Sequence, residues 1–339
     1  MQKMNPDINN QQIFSWALQL TTQVDYQSLT YCFLGLLEEI CFVENATAYE
    51  VYGKRTLRTG EASSVSEQLI RRFPLDFTEY ELDESSDLLQ EIDNKAMFYP
   101  SKPDGNGYFT QFVASLTDLS GPDRVILLHG IFDERSLELL SNLINLYRNQ
   151  VALHDSKERD ILTKLPNRQS FHSRFLQVCE YFRNNKKLDN SNAKGSWLAM
   201  LDIDHFKRIN DTFGHLIGDE ILLTFSQIME KQFRYNDFLF RFGGEEFIVI
   251  LNLVNQGDAE ATFERFRNAI AGYAFPIVGQ VTVSIGVAHI NCDIMPTSLL
   301  DRADKALYFA KDNGRNNVTL YEKMKGSSLD SDNVETEFF

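Results

Sequence analysis

Between Arg241 and Ile250 the chain reads Arg-Phe-Gly-Gly-Glu-Glu-Phe-Ile-Val-Ile, with two glycines and two carboxylates set between apolar runs. Glycine takes positive φ without steric cost, so Gly243-Gly244 is expected to turn a hairpin with strands at 238–242 and 247–251. A turn without side chains admits a bulky ligand to the backbone. Glu245 and Glu246 stand at its rim as hard oxygen donors suited to Mg²⁺. A surface hairpin with solvated glutamates is the competing reading, and the pentapeptide alone does not choose between them.

Other residues could serve the same chemistry. Trp197-Leu-Ala-Met-Leu201 is a continuous apolar run fit for a central strand, and Asp202-Ile203-Asp204 follows at its end. Residues two apart face one side of a strand, so both carboxylates are expected at one spot, where buried charge must be paired or bind metal. Read alone, Asp202 is as well explained as a cap on the following turn. Next, Lys207 suits phosphate oxygens. Asn210 and Asp219 flank a helix start and offer groups for a base edge. A carboxylate accepts from two adjacent N–H groups, a pattern guanine displays and adenine does not. Asn210-Asp211-Thr212 is also composed like a helix N-cap. Lys311 and Arg315 close the last helix, where cations complement the helix dipole whatever the function.

Five motifs stand in one order: Asp160-Ile-Leu-Thr-Lys-Leu-Pro-Asn-Arg168, Asp202-Ile-Asp-His-Phe-Lys-Arg-Ile-Asn-Asp-Thr-Phe-Gly-His215, Gly243-Gly-Glu-Glu-Phe247, Val283-Ser-Ile-Gly-Val-Ala288, and Arg302-Ala-Asp-Lys-Ala-Leu-Tyr308 with Gly314-Arg-Asn316. Over residues 160 to 321 this series resembles the GGDEF family of diguanylate cyclases. Glu245 stands where the family name has Asp and keeps a carboxylate there.

The resemblance implies that two GTP molecules condense to cyclic di-GMP with loss of two pyrophosphates, each 3′-hydroxyl attacking the other's α-phosphate. It implies that Asp202, the Ile203 carbonyl, Glu245 and Glu246 hold Mg²⁺, for which Mn²⁺ can substitute. Glu246 also activates the hydroxyl, and Glu245, Glu246 and Lys207 form the catalytic set. Phe206 and Lys207 would meet the terminal phosphates with Lys311 and Arg315. Asn210 and Asp219 would read guanine, and His215, Gly243 and Gly244 would line the substrate. One GTP per domain makes a homodimer part of the mechanism. Arg234-Tyr-Asn-Asp237, with Arg265 in support, matches the register of the family's inhibitory Arg-x-x-Asp site for cyclic di-GMP. Two rivals remain: a silent receptor for GTP or cyclic di-GMP, and a cyclase that also accepts ATP, which Asp219 disfavours.

These residues need a scaffold. Residues 161–323 read as helix, strand (197–203), helix (211–232), the hairpin, helix (258–272), strand (281–288) and helix (298–313). This approximates the β-α-β-β-α-β plan of a ferredoxin-like, cyclase-type α+β domain with a central antiparallel sheet. Upstream, residues 1–132 read as helices over 11–42 with a break near Asp25, a strand over 46–52 and a hairpin of 108–116 with 124–131. By element order this is a small α+β sensor of GAF type, with PAS as the alternative, awaiting an unknown small ligand or signal. Residues 133–160 read as one long signalling or linker helix. Its stripe Leu137, Leu140, Ile144, Tyr147 and Val151 is spaced 3-4-3-4, fit either for a two-stranded seam or for packing on its own domain. An acidic run over 76–93 reads as solvated surface and 324–339 as a disordered acidic tail.

A formal net charge of −15 over 339 residues argues against a nucleic acid polymer as partner, without excluding a nucleotide whose charge is carried by metal. Cys32, Cys41, Cys179 and Cys292 are scattered, without the paired spacing of zinc or disulfide frameworks, and read as reduced thiols. No signal peptide or membrane-length apolar run is read, so a cytoplasmic protein without a membrane partner is expected.

Overall fold

The computed structural model describes residues 10–58, 64–73, 75, 97–117, 119, 121–184, 194–234 and 236–324. The acidic run at 76–93 and the tail from 325 lie outside the described residues. The chain divides into two compact units, Met1–Arg159 and Asp160–Phe339. No described helix is long and apolar enough to cross a membrane.

The N-terminal unit begins with α1 (Asn10–Thr21) and α2 (Tyr26–Glu38). Asp25 breaks the chain between them because its carboxylate caps α2, accepting from the Ser28 N–H at 2.7 Å. Strands β1 (Val43–Arg58), β2 (Ser64–Phe73), β3 (Phe98–Pro100), β4 (Phe109–Leu116) and β5 (Asp123–Phe132) follow, then α3 (Glu134–Glu158). They form one antiparallel sheet in the order β2-β1-β5-β4-β3. The two-residue period sends Phe112, Ala114, Ile126 and Leu128 into one core with the helices, while Val113, Val125 and Leu127 form a small cluster on the opposite face. Leu140, Ile144, Tyr147 and Val151 of α3 are fully buried in that helical core, and Tyr147 stacks on Phe33 at 4.2 Å. The stripe that suited a seam between two helices is therefore packed inside its own unit.

The C-terminal unit contains α4 (Arg168–Asn184), β6 (Gly195–Ile203), α5 (Phe206–Phe213), α6 (His215–Gln232), β7 (Phe238–Gly243), β8 (Glu246–Val254) and α7 (Gln256–Gly272). The small pair β9 (Ala274–Phe275) and β10 (Gly279–Gln280), then β11 (Val283–His289), α8 (Pro296–Asp312), β12 (Val318–Leu320) and α9 (Tyr321–Met324) complete it. Its main sheet runs β12-β11-β6-β8-β7. The inner order β11-β6-β8-β7 is the expected β-α-β-β-α-β arrangement, with β12 added in parallel at the edge. The apolar run 197–201 is the central strand, and the whole of β6 from Trp197 to Ile203 is buried.

One expected helix is two. The 211–232 segment breaks at Gly214, whose φ of 86° ends α5 and opens α6. Gly286 matters for space rather than for φ. A Cβ there would run into the backbone of Ala303 and Leu307, so α8 lies directly on β11. That close approach aims the end of α8 at the end of β6.

Candidate functional site

β7 and β8 pair through Arg241 with Phe247 and close with Gly243 opposite Glu246. The turn residues are therefore Gly244 and Glu245, one position later than the expected Gly243-Gly244. Gly244, at φ 29°, carries the conformation unsuited to a side chain, and a Cβ on Gly243 would stand 3.4 Å from the Glu246 carboxylate. Glu245 thus sits at the apex. Glu246, first residue of β8, is the register partner of Asp202 at the end of β6.

Asp202 meets an ammonium there, and the charges of Glu245 and Glu246 act on the same spot. Lys311 Nζ lies 2.9 Å from Asp202. Burial pushes the Asp202 carboxyl above its usual range, Lys311 pulls against that shift, and Asp204 adds to it. Glu245 is also pushed up, by burial and then by the charge of Asp202, with Lys311 opposing and Glu246 adding. Arg315 acts on Asp202 in the same sense as Lys311, and both carboxyls are nevertheless held above their usual range. Among the described residues no group of three or more His, Cys, Asp or Glu side chains is arranged to hold a metal ion by itself. A hard divalent cation does not need such a cage, because Mg²⁺ commonly takes one or two carboxylates and completes its shell with water and substrate phosphate. Asp202, the Ile203 carbonyl and Glu245 suit that chemistry.

Asp204 corrects the two-carboxylate expectation. It is 4% exposed and fully engaged by the protein. Its Oδ1 accepts from Ser284 at 2.7 Å, and Oδ2 accepts from Thr282 at 2.7 Å and the Asn316 N–H at 3.0 Å. It clamps β6 to β11 and to the loop after α8, the loop that carries Arg315. The Phe206 side chain is buried in the core.

Lys207 is exposed on the first turn of α5, and His215 and Asp219 are exposed on α6. A Cβ on Gly218 would strike Oδ1 of Asn210, so the Asn210 amide rests against the residue that precedes Asp219. The proposed guanine readers are neighbours across the Gly214 break. Arg315 occupies the left-handed region at φ 60° and donates to the Lys311 carbonyl at 3.4 Å.

Asp160 and Arg241 escaped sequence reasoning as functional residues. Arg241 donates to the Gly244 carbonyl from Nε at 3.1 Å and Nη2 at 2.8 Å, and Nη1 meets Asp160 at 2.8 Å. Its backbone N–H donates to the Pro166 carbonyl at 2.9 Å. Asp160 is opposed by burial, yet the Thr163 N–H and the Arg241 guanidinium hold it below the ordinary carboxylate range. The segment from Asp160 to Asn167 thus clasps the β7–β8 turn. Its motif stood in the sequence; its contact with the turn did not.

Residues 157–317 match the family model described as "Diguanylate cyclase, GGDEF domain". This stretch is a GGDEF domain. Diguanylate cyclase A of Treponema denticola is 37% identical over 195 residues, covering 56% of this chain and 51% of that protein. Diguanylate cyclase DgcP of Pseudomonas aeruginosa is 39% identical over 175 residues, covering 50% of this chain and 25% of that protein. This chain therefore spans about half or less of these relatives. Among solved structures, the GGDEF domain of DgcB from Caulobacter crescentus in complex with c-di-GMP is 32% identical, covers 49% of this chain and 96% of that one, and has a TM-score of 0.45.

The GGDEF domain also holds the Arg-x-x-Asp sequence at a defined corner. Asp237 is buried, and its carboxylate accepts from the backbone N–H of Arg234 at 2.9 Å and of Asn252 at 3.2 Å. Arg234 is exposed. Arg265, on α7, is also exposed and donates to the Gln232 carbonyl at 3.2 Å, two residues from Arg234. Two arginines thus share one surface, braced by a carboxylate that serves the backbone.

Proposed function

We propose that this chain is a diguanylate cyclase that joins two GTP molecules into cyclic di-GMP and two pyrophosphates. The observation that carries the reading is the excess carboxylate charge of Asp202, Glu245 and Glu246 around a turn without side-chain bulk, within a GGDEF domain. Asp202, the Ile203 carbonyl and Glu245 would hold Mg²⁺, or Mn²⁺ in its place. When bound, such an ion lowers the pKa of a hydroxyl and offsets charge on phosphoryl oxygens. Lys207, Lys311 and Arg315 neutralise the leaving pyrophosphate, with Lys311 exchanging Asp202 for phosphate. Asn210 and Asp219 select guanine, and Glu246 takes the proton from the attacking 3′-hydroxyl. Each domain supplies one GTP, so two domains must face one another and the active species is a homodimer.

The same reading assigns Arg234 and Arg265 to an inhibitory cyclic di-GMP site, where guanidinium forks suit phosphates. With Asp237 turned to the backbone, the arginines carry this role. The N-terminal unit is the regulatory half, a GAF-like sensor on the basis of its helices and antiparallel sheet. Purified protein incubated with GTP and Mg²⁺ should yield cyclic di-GMP on chromatography. Tight GTP binding without product, under conditions in which the protein dimerises, would establish the silent receptor instead. Arg234→Ala should retain turnover and lose inhibition by added product; an unchanged inhibition curve removes the regulatory site.

A further inference from the structure

Gly314, Arg315 and Asn316 follow α8 in succession at positive φ, 101°, 60° and 46°. Glycine takes that region freely and asparagine tolerates it, but arginine meets a steric penalty there. Such a backbone persists where its surroundings fix it. The contacts that hold this loop therefore decide where Arg315 can reach.

The loop is tied on both sides of Arg315. The Arg315 N–H donates to the Ala310 carbonyl at 3.1 Å, and the Asn317 carbonyl accepts from the Ile285 N–H of β11 at 2.9 Å. Asn316, between them, is held at its backbone and at its side chain. Its N–H donates to Asp204 Oδ2 at 3.0 Å, and its Oδ1 accepts from Arg267 Nη1 at 2.9 Å. Arg267 stands half-buried on α7, and its fork is already oriented there. Nε donates to Glu264 at 2.8 Å and Nη2 to Asn268 at 2.7 Å. Asn316 thus completes a brace that runs from α7 to the end of β6. The Arg315 side chain, by contrast, is exposed, with Nη1 at a long 3.4 Å from the Lys311 carbonyl. The fold fixes the backbone of Arg315 and leaves its guanidinium at the surface.

We propose that Arg267 is a positioning residue for phosphate recognition, acting through Asn316 to hold Arg315 where the terminal phosphates of GTP arrive. This rests on the function proposed above, which gives Arg315 to those phosphates. Lys311, at the same end of α8, meets Asp202 at 2.9 Å, and the charge of Arg315 also favours ionised Asp202. The guanidinium therefore stands on the metal side of the domain. A side chain set in place beforehand loses less freedom on binding, so the brace is read out as affinity. A brace that only tied α7 to the loop would act on stability, independently of Arg315. A brace that aims Arg315 matters only while Arg315 is present.

A double-mutant cycle separates the two, because residues acting through one another give non-additive losses. The full chain with Mg²⁺ is titrated by calorimetry with a GTP analogue bridged by methylene between the α- and β-phosphates. Arg267→Ala should weaken binding by about tenfold, a coupling usual within one hydrogen-bond network. In the Arg315→Ala background the same change should cost no further affinity. Asn316→Gly keeps the backbone conformation and removes the acceptor, so it should repeat the Arg267→Ala loss, and it replaces that variant in the cycle if Arg267→Ala fails to fold. Asn316→Asp keeps the acceptor and should bind as wild type does. Equal losses in both backgrounds, or no loss from either Arg267→Ala or Asn316→Gly, would overturn the positioning role while the cyclase reading stands. A wild-type chain that binds no analogue would remove the cyclase reading and this inference with it.

Discussion

Arg124 and Asp155 in the N-terminal unit meet fork to fork, at 2.8 and 2.7 Å, with both side chains no more than 4% exposed. The Tyr26 ring lies 4.2 Å from the same guanidinium. At the end of β6 in the C-terminal unit, by contrast, Asp202 meets Lys311 at 2.9 Å with Arg315 acting from further off, and Glu245 and Glu246 add their charge to the same spot. One unit neutralises its buried charge with matched geometry, and the other leaves a surplus. A satisfied pair fixes β5 against α3. A surplus of carboxylate charge is what a cation and phosphate would answer under the function proposed above.

The contrast can be broken from either side. Asp155→Ala would strand a buried guanidinium and should destabilise the N-terminal unit by about 3–5 kcal/mol, the usual cost of removing one partner of a buried pair. Urea unfolding would measure it, and a loss below about 1 kcal/mol would mean that the pair is not the anchor described. Glu245→Ala removes charge from the crowded cluster instead. Cyclic di-GMP formation should fall by about 100-fold or more, while unfolding shows the fold intact or slightly firmer. Retained turnover would take Glu245 out of the reaction.

A third test adds the missing charge. Asp202 and Glu245 titrate above their usual range when folded. Below their unfolded values they contribute nothing, and stability is lost as pH rises from those values through the folded ones. Mg²⁺ should recover that loss at neutral pH, by about 2.7 kcal/mol at 100 times its dissociation constant. The gain should vanish in acid, where the carboxylates are protonated. A pH-independent gain in melting temperature would place the ion elsewhere.

The smallest effect concerns the clasp. Asp160 is held below the ordinary range, so its contribution is full above the unfolded carboxylate value near 4 and is lost as pH falls through the folded value. Asp160→Asn should cost on the order of 1.5 kcal/mol at neutral pH, converging with wild type in strong acid. Parallel stability curves across that window would exclude the Asp160–Arg241 bond as the source.

Much of the GGDEF domain was legible because its signals are local. The apolar run from Trp197 to Leu201, the alternation beside the glycines and the helix faces specify elements within a few residues. The order of motifs identified the family and with it the candidate site. The turn was misplaced by one residue because two adjacent glycines offer either position, and the pairing of Gly243 with Glu246 chooses between them. The 211–232 helix was read as continuous because a single glycine does not disclose its φ.

Contacts remote in sequence were not readable. Asp202 and Asp204 have the same type and stand two residues apart, yet β6 ends at Ile203, and Thr282 and Ser284, some 80 residues away, claim Asp204 and leave Asp202 to Lys311. The stripe on α3 has a period that suits a partner helix or its own sheet, and packing on Phe33 and its neighbours decides the matter.

By itself, then, the sequence determined the carboxylates, the glycines, the cations and the order in which they come, because residue type and spacing are properties of the chain. Only the tertiary structure decided which charges are answered within the fold and which remain for a ligand. Neutralisation depends on which donors distant segments bring within about 3 Å, the range of a hydrogen bond.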